Sequence, residues 1–190
     1  MIERYSRKEM SEVWGERAKY VRWLEVELAV CRELAADGVI PPKEWKELQK
    51  NGMALLEKGG VDPARVAEHE ATLKHDVISF TTAVAEKVGP TARYIHFGLT
   101  SSDVIDTAFA LTVADAARIL TSDLTALRGA LLEKAEKYKG LPTIGRSHGI
   151  SAEPTAFGLR FLGWYCEFGR DLERLTRAAE GMATGKLSGA

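Results

Sequence analysis

Cysteine, proline and histidine are all scarce in this 190-residue chain, at two, six and four residues. Cys31 and Cys166 stand far apart and belong to no CxxC or Cys/His cluster, which argues against a disulfide framework or a thiolate metal site. Both sit in apolar, helix-like surroundings, so buried free thiols in a reducing, cytoplasmic compartment are expected. No stretch approaches the roughly 18 apolar residues of a membrane span, and Met1-Ile2-Glu3-Arg4-Tyr5-Ser6 has no apolar signal region. A soluble, untargeted chain is the expectation. Nor does one sign of charge dominate. Lys and Arg number 26 against 27 Asp and Glu, a formal net charge of −1. Without a global basic field, neither nucleic acid nor a membrane surface is an expected partner. Any phosphate must be bound by a few placed cations. HxxxH, HxxE and CxxC spacings are missing, so neither metal nor cofactor is expected.

What is present is helical periodicity, and the expected fold class is all-α. Ser6 and Glu9 have the S-x-x-E spacing of a capping box, predicting a short helix to about Trp14. From Glu16 to Asp37, Val21, Leu24, Leu28, Cys31 and Ala35 fall at steps of three and four, one stripe of an amphipathic helix that Gly38 is placed to end. Pro41-Pro42 opens a helix carrying Trp45 and Leu48 and expected to stop near Gly52. Gly59-Gly60 is a break. Asp62-Pro63 reads as an N-cap and first turn, with a helix toward His69. Another is expected from about Asp76 to Lys87, stopped by Gly89-Pro90. Thr91 to Thr100 lacks clear periodicity and reads as a connection.

The character changes at Ser102. From there to Tyr138, Gly129 is the one glycine and proline is missing. Phe109, Ala116, Leu120, Leu124, Leu127, Leu131, Ala135 and Tyr138 recur at spacings of three, four and seven. This predicts a helix of roughly 55 Å at 1.5 Å per residue, with a stripe suited to a helical bundle. A helix that long suggests a core built partly from other subunits. Gly140-Leu141-Pro142 ends it, Thr143 to Glu153 reads as a polar loop, and Pro154 is expected to open a helix running to about Ala179. The glycine-punctuated stretch from Gly181 to Ala190 looks like truncation. The expected division is an N-terminal helical domain over 1–99 and the start of a central long-helix bundle over 100–190.

Three of the four histidines stand at or beside breaks between helices, where a rigid scaffold carries its chemistry. His75 lies between Lys74 and Asp76, His96 in the aperiodic Tyr94–Asp103 segment, and His148 in Gly145-Arg146-Ser147-His148-Gly149. Thr100-Ser101-Ser102-Asp103 opens the long helix. Its hydroxyls and helix-terminal amides suit an anion, although Ser102 or Asp103 also serves as a cap. Glu25, Glu27 and the charges from Lys43 to Lys50 read as solvated helix faces, and the Trp and Leu stripes as core. On composition alone Arg4-Tyr5 is a frayed end.

Four segments in register carry a resemblance. Arg4-Tyr5-Ser6, Lys74-His75-Asp76-Val77, His96 through Asp103, and Gly145-Arg146-Ser147-His148-Gly149 through Ala152-Glu153-Pro154-Thr155 are similar to the adenylosuccinate lyases, a family of the fumarase/aspartase superfamily. Gly185-Lys186-Leu187-Ser188-Gly189-Ala190 resembles a further family segment. Ser147 stands where the family usually has threonine, and Ser151 where a bulkier polar residue is common.

The resemblance implies an N-terminal helical domain, then long helices bundling into a homotetramer whose active sites are shared between subunits. It also implies β-elimination of fumarate from a nucleotide substrate. His148 would be the general acid and His75 a charge-supporting residue beside the substrate, with Asp76 fixing its tautomer. Thr100 and Ser101 would hold a succinyl carboxylate, Arg4 and Tyr5 the nucleotide phosphate, and Lys74 a further part of the substrate; His96 would lie near the site. The family's general base, a serine on a glycine-rich loop, has no counterpart in these residues, so the fragment alone is expected to be inactive. Argininosuccinate lyase, aspartase and fumarase share the elimination logic, but Arg4-Tyr5 and Lys74-His75-Asp76 favour a phosphate-bearing substrate. A non-catalytic helical scaffold is disfavoured by the intact His75 and His148.

Overall fold

A computed structural model describes residues 2–189; Met1 and Ala190, the first and last residues of the segments discussed above, lie outside the described residues. Seven α-helices and one two-stranded sheet make up the regular structure among them, apart from short 3₁₀ turns. The all-α expectation holds, with that small sheet as the addition. Two compact units are present: Met1–Asp115 with Ala183–Ala190, and Ala116–Met182.

In the first unit, the capping box does not form. Glu3–Tyr5 is a 3₁₀ turn, and the Ser6 hydroxyl donates to the Ile2 carbonyl at 3.0 Å instead of capping. Helix α1 (Lys8–Val13) therefore begins with Arg7 as its N-cap. Helix α2 (Glu16–Ala36) follows the apolar stripe and ends as its sequence dictates. Gly38 takes φ +78°, its N–H bonds the Ala35 carbonyl, and Val39 N–H reaches back to Leu34 O at 2.9 Å. This paired 5→2 and 6→1 closure is available at low cost to glycine.

Helix α3 (Pro42–Glu57) runs straight through Gly52, where a stop was expected. Gly52 is buried, and a Cβ there would lie 2.7 Å from Leu28 Cδ2. The glycine is a place of close helix approach, not a terminator. Helices α4 (Pro63–Leu73) and α5 (Asp76–Val88) complete the packing; the Asp62 carboxylate accepts from Ala64 N–H at 3.1 Å, as its cap position predicts. The core centres on Leu24, Ile40, Leu48, Val66, Phe80 and Val84, all fully enclosed. Tyr20 stacks on Phe80 at 5.8 Å, and Trp23 meets Phe80 edge-on at 5.4 Å. Cys31 is buried in this core, where desolvation and the nearby Glu27 push its thiol up to about 12.

Helix α6 (Ser101–Lys137) is the long helix, within one residue of its expected limits. Its later turns belong to the second unit. There the expected loop is a hairpin of β1 (Pro142–Ser147) and β2 (Ile150–Ala156), antiparallel, pairing Ile144 with Pro154 and Ser147 with Ile150. Pro154 does not open a helix; it sits in β2, as the edge strand of a two-stranded ribbon permits. Helix α7 (Gly158–Met182) starts after it. Tyr138, Phe157, Phe161 and Trp164 form a chain of ring contacts, with centroids 5.5, 5.2 and 5.8 Å apart in sequence order.

The apolar stripe of α6 is only partly covered. Leu131 and Ala135 are buried, whereas Leu120 and Leu127 are 44% and 40% exposed. On α7 Leu159, Leu162 and Trp164 are exposed too, and so is Cys166, contrary to the expectation of a buried thiol. Trp14, 43% exposed, likewise departs from the reading of the Trp and Leu stripes as core.

Candidate active site

Among the described residues, three non-glycine residues have positive φ: Lys74 (56°), His96 (66°) and His148 (51°). Each falls in a different one of the internal motifs singled out above. The left-handed region costs an ordinary side chain about 1 kcal/mol or more, and such strain gathers where a side chain must be aimed.

Lys74 is the left-handed C-cap of α4, its N–H closing on Glu70 O at 3.0 Å, and it turns the chain directly into α5. His75 is the N-cap of α5. Its Nδ1 accepts from Ile78 N–H at 3.3 Å, so in the neutral ring the proton sits on Nε2. That bond, rather than Asp76, sets the tautomer: Asp76 Oδ1 accepts from Val77 N–H at 2.7 Å and lies 3.5 Å from Nδ1. All three side chains are exposed.

His96 has a partner that composition concealed. The Glu27 carboxylate, fully buried, accepts from His96 N–H through Oε2 and meets ring Nδ1 through Oε1, both at 2.7 Å. The reading of Glu27 as a solvated charge is therefore wrong. Its sequence neighbours Val26 and Leu28 are buried as well, so position 27 falls on the core side of α2. The hydrogen bond to Glu27 raises the His96 pKa above the ordinary histidine value, against the opposing effect of burial. Glu25, by contrast, pairs with Arg22, which also contacts Asp115.

At the start of α6, Asp103 is the cap. Its Oδ2 accepts from Thr100 N–H at 3.0 Å while its own N–H donates to Thr100 O at 2.9 Å. The fully buried carboxylate also accepts from Ser188 N–H (2.9 Å), the Ser188 hydroxyl (3.1 Å) and Gly189 N–H (3.0 Å). Lys186 Nζ donates to Ser102 Oγ at 2.6 Å and to Asp103 Oδ1 at 3.3 Å. So many donors hold the Asp103 carboxyl well below the usual range, the Thr100 amide foremost. The stretch Ala183–Gly189 is thus strapped to the first turn of α6, where the Asp103 carboxylate meets part of the positive field of that turn. Lys186 and Asp103 are site neighbours that isolated motifs could not reveal, because the contact spans 83 positions.

The remaining residues lie elsewhere. Arg4 and Tyr5 are exposed on the 3₁₀ turn, with the guanidinium 4.8 Å from the Tyr5 ring centroid. His148 and Gly149 form the two-residue turn of the hairpin, both left-handed as a type I′ turn requires. The turn presents the His148 imidazole exposed at the hairpin tip in the second unit. His96, Thr100 and Ser101 are brought into one cluster around Glu27 and Asp103, while Lys74, His75 and Asp76 form another. Among the described residues, no hydrogen bond joins the two. Nor do any three His, Cys, Asp or Glu side chains there group to hold a metal ion. His69, the fourth histidine, pairs with Glu86 at 3.0 Å on the surface, where Arg65 pulls Glu86 down to about 2.

A family model described as lyase matches residues 3–190. The chain belongs to that lyase family. It lies within the fumarase/aspartase superfamily and corresponds to the N-terminal portion of its relatives. Among curated lyases it is 44% identical to adenylosuccinate lyase of Thermotoga maritima and 42% identical to that of Bacillus subtilis, each over 190 residues. All of this chain is covered, but only 42% of either relative. Among solved structures, the fumarate lyase of Mesorhizobium sp. BNC1 superposes with a TM-score of 0.87 at 24% identity, covering 98% of this chain and 43% of that one. At that identity the likeness speaks for the fold alone. The 3-carboxy-cis,cis-muconate lactonizing enzyme of Pseudomonas putida gives 0.86 at 25% identity, with coverage of 98% and 42%.

Proposed function

We propose that this lyase chain is the N-terminal part of an adenylosuccinate lyase, eliminating fumarate from adenylosuccinate to give AMP, and from the succinylated aminoimidazole-carboxamide ribotide of purine biosynthesis. The reading rests on 41–44% identity to adenylosuccinate lyases along all 190 residues. Elimination needs a base to take the proton from the succinyl carbon, stabilisation of the carbanion spread into the adjacent carboxylate, and an acid for the departing nitrogen as the C–N bond breaks.

His148 is proposed as that acid. An exposed imidazole on a rigid two-residue turn can approach a leaving group without moving backbone, and histidine is the side chain most often used for such proton transfer. His75, pinned through Nδ1, would offer Nε2–H to negative charge on the substrate. Thr100 and Ser101 would hold a succinyl carboxylate at the N-terminus of α6, Arg4 and Tyr5 the phosphate, and Lys74, Asp76 and His96 would line the substrate. The base would come from outside these residues, as would much of each site, through a homotetramer that covers the exposed leucines of α6 and α7. A domain boundary at 99/100 and a cytoplasmic location complete the reading. Among the described residues, no helix is long and apolar enough to cross a membrane.

The test is turnover of adenylosuccinate by the complete gene product, followed through the ultraviolet absorbance of fumarate. Release is expected, with AMP but not argininosuccinate raising the melting temperature. Turnover of argininosuccinate instead would refute the nucleotide reading.

A further inference from the structure

We infer that Glu27 is a positioning residue for the carboxylate-binding end of the substrate site, acting through His96 on the segment that delivers Thr100 and Ser101. The inference rests on the lyase reading above and goes beyond it, since Glu27 lies outside every motif that carried that reading.

Both carboxylate oxygens of Glu27 go to a single residue 69 positions away, one to its N–H and one to its ring. An ionised carboxylate can only accept, so Nδ1 carries a proton and donates. Gripping main chain and side chain together fixes both the backbone and the ring of His96, which an ordinary ion pair does not. The residue so fixed is left-handed, at φ 66°, and Gly98 follows at φ 74°. These two reversals bring the chain from the turn at Tyr94 into Leu99, which is buried, and Thr100, which opens α6. On the far side of Thr100 its amide is held by Asp103. The turn carrying Thr100 and Ser101 is therefore anchored at one end by Glu27 and at the other by Asp103, two fully buried carboxylates. A glutamate enclosed in an apolar helix face is costly unless fully hydrogen-bonded. Here its bonds all point at the approach to one loop.

The test is Glu27→Gln in the complete gene product. Glutamine keeps the shape and can still accept the His96 N–H through its single oxygen, but its amide nitrogen only donates and cannot also accept from Nδ1–H. Fumarate, which resembles the succinyl end, and AMP, which lacks it, are measured as competitive inhibitors. Fumarate inhibition is expected to weaken roughly 10- to 100-fold, the worth of a charge-assisted hydrogen bond as an equilibrium ratio, with AMP inhibition unchanged. The Nδ1 proton resonance of His96 should shift or vanish. A His96→Asn variant tolerates the left-handed backbone, and adding Glu27→Gln to it should cause no further loss of fumarate binding. Equal weakening for both inhibitors, no weakening for either, or additive losses in the double variant would overturn the inference. Wild-type protein without adenylosuccinate turnover would instead remove the adenylosuccinate reading, and this inference with it.

Discussion

The two compact units differ in how they treat apolar surface. In the first, helices α2 to α5 enclose an aromatic and aliphatic centre so fully that Phe80, Leu24, Ile40 and Leu48 have no exposure. In the second, the buried hydrophobic residues reduce to Ala116, Ala117, Leu131 and Ala135, while Leu120, Leu127, Leu162 and Trp164 remain open. One unit thus encloses a core of its own, and the other leaves apolar helix faces open. Scattered exposed leucines are ordinary on any protein, but a periodic row along one helix is the mark of a bundle seam. The proposed acid, His148, belongs to the unit with the open faces. Catalysis and folding stability should therefore respond to different substitutions.

The sharpest separation is His148→Ala in the complete gene product. Turnover is expected to fall by roughly 10²- to 10⁴-fold, the usual worth of a general acid, with assembly and melting temperature unchanged. Unchanged turnover would assign the acid elsewhere. Next comes a matched pair of truncations. Phe80→Ala should cost about 3–5 kcal/mol in denaturant unfolding, whereas Leu127→Ala in the 190-residue chain should stay within about 0.5 kcal/mol. Equal losses would erase the contrast between the units. Gly52→Ala should cost about 1–3 kcal/mol, because the new methyl must displace the Leu28 side chain within a packed interior.

The smallest effect is acid-dependent and confined to the first unit. The folded Asp103 carboxyl lies below its ordinary value of 3.8, so its contribution is full above that pH and lost as pH falls through the depressed value. Hydrogen exchange at Ser188 and Gly189 amides should accelerate in that acid range, before exchange in α5 does. His96 behaves oppositely. Its pKa is raised, so its contribution is full below the ordinary histidine value of 6.5 and fades as pH rises through the folded one.

Elements with local punctuation were legible from the sequence. Gly38, Asp62-Pro63 and Gly89-Pro90 each end or begin a helix where the residues alone predict it, because caps act over four or five positions. The long helix was legible for a related reason: an apolar stripe free of proline is a local property. What local pattern could not deliver was anything decided by a distant partner. Gly52 read as a stop because its neighbour Leu28 lies 24 positions earlier. Glu27 read as a solvated charge because its partner lies 69 positions later. The hairpin around His148 was missed because β1 and β2 are short, polar and broken by Pro154, so neither alternation nor β-branching gives them away. His75, His96 and His148 were singled out as residues at breaks, and the left-handed or capping backbone at each shows why they stand there. Their proposed roles come from family resemblance, not from geometry within one chain.

The strap on Asp103 also bears on the order in which parts of this chain can be completed during synthesis. Asp103 and Ser188 are separated by 85 positions, about 4–17 s of synthesis at 5–20 residues per second. Throughout that interval the first turn of α6 has emerged with its carboxylate short of the amides that later surround it. The first turn of α6 is consequently completed only after α7 has been made, and a nascent chain paused before residue 186 should remain open to proteases at Thr100 to Asp103.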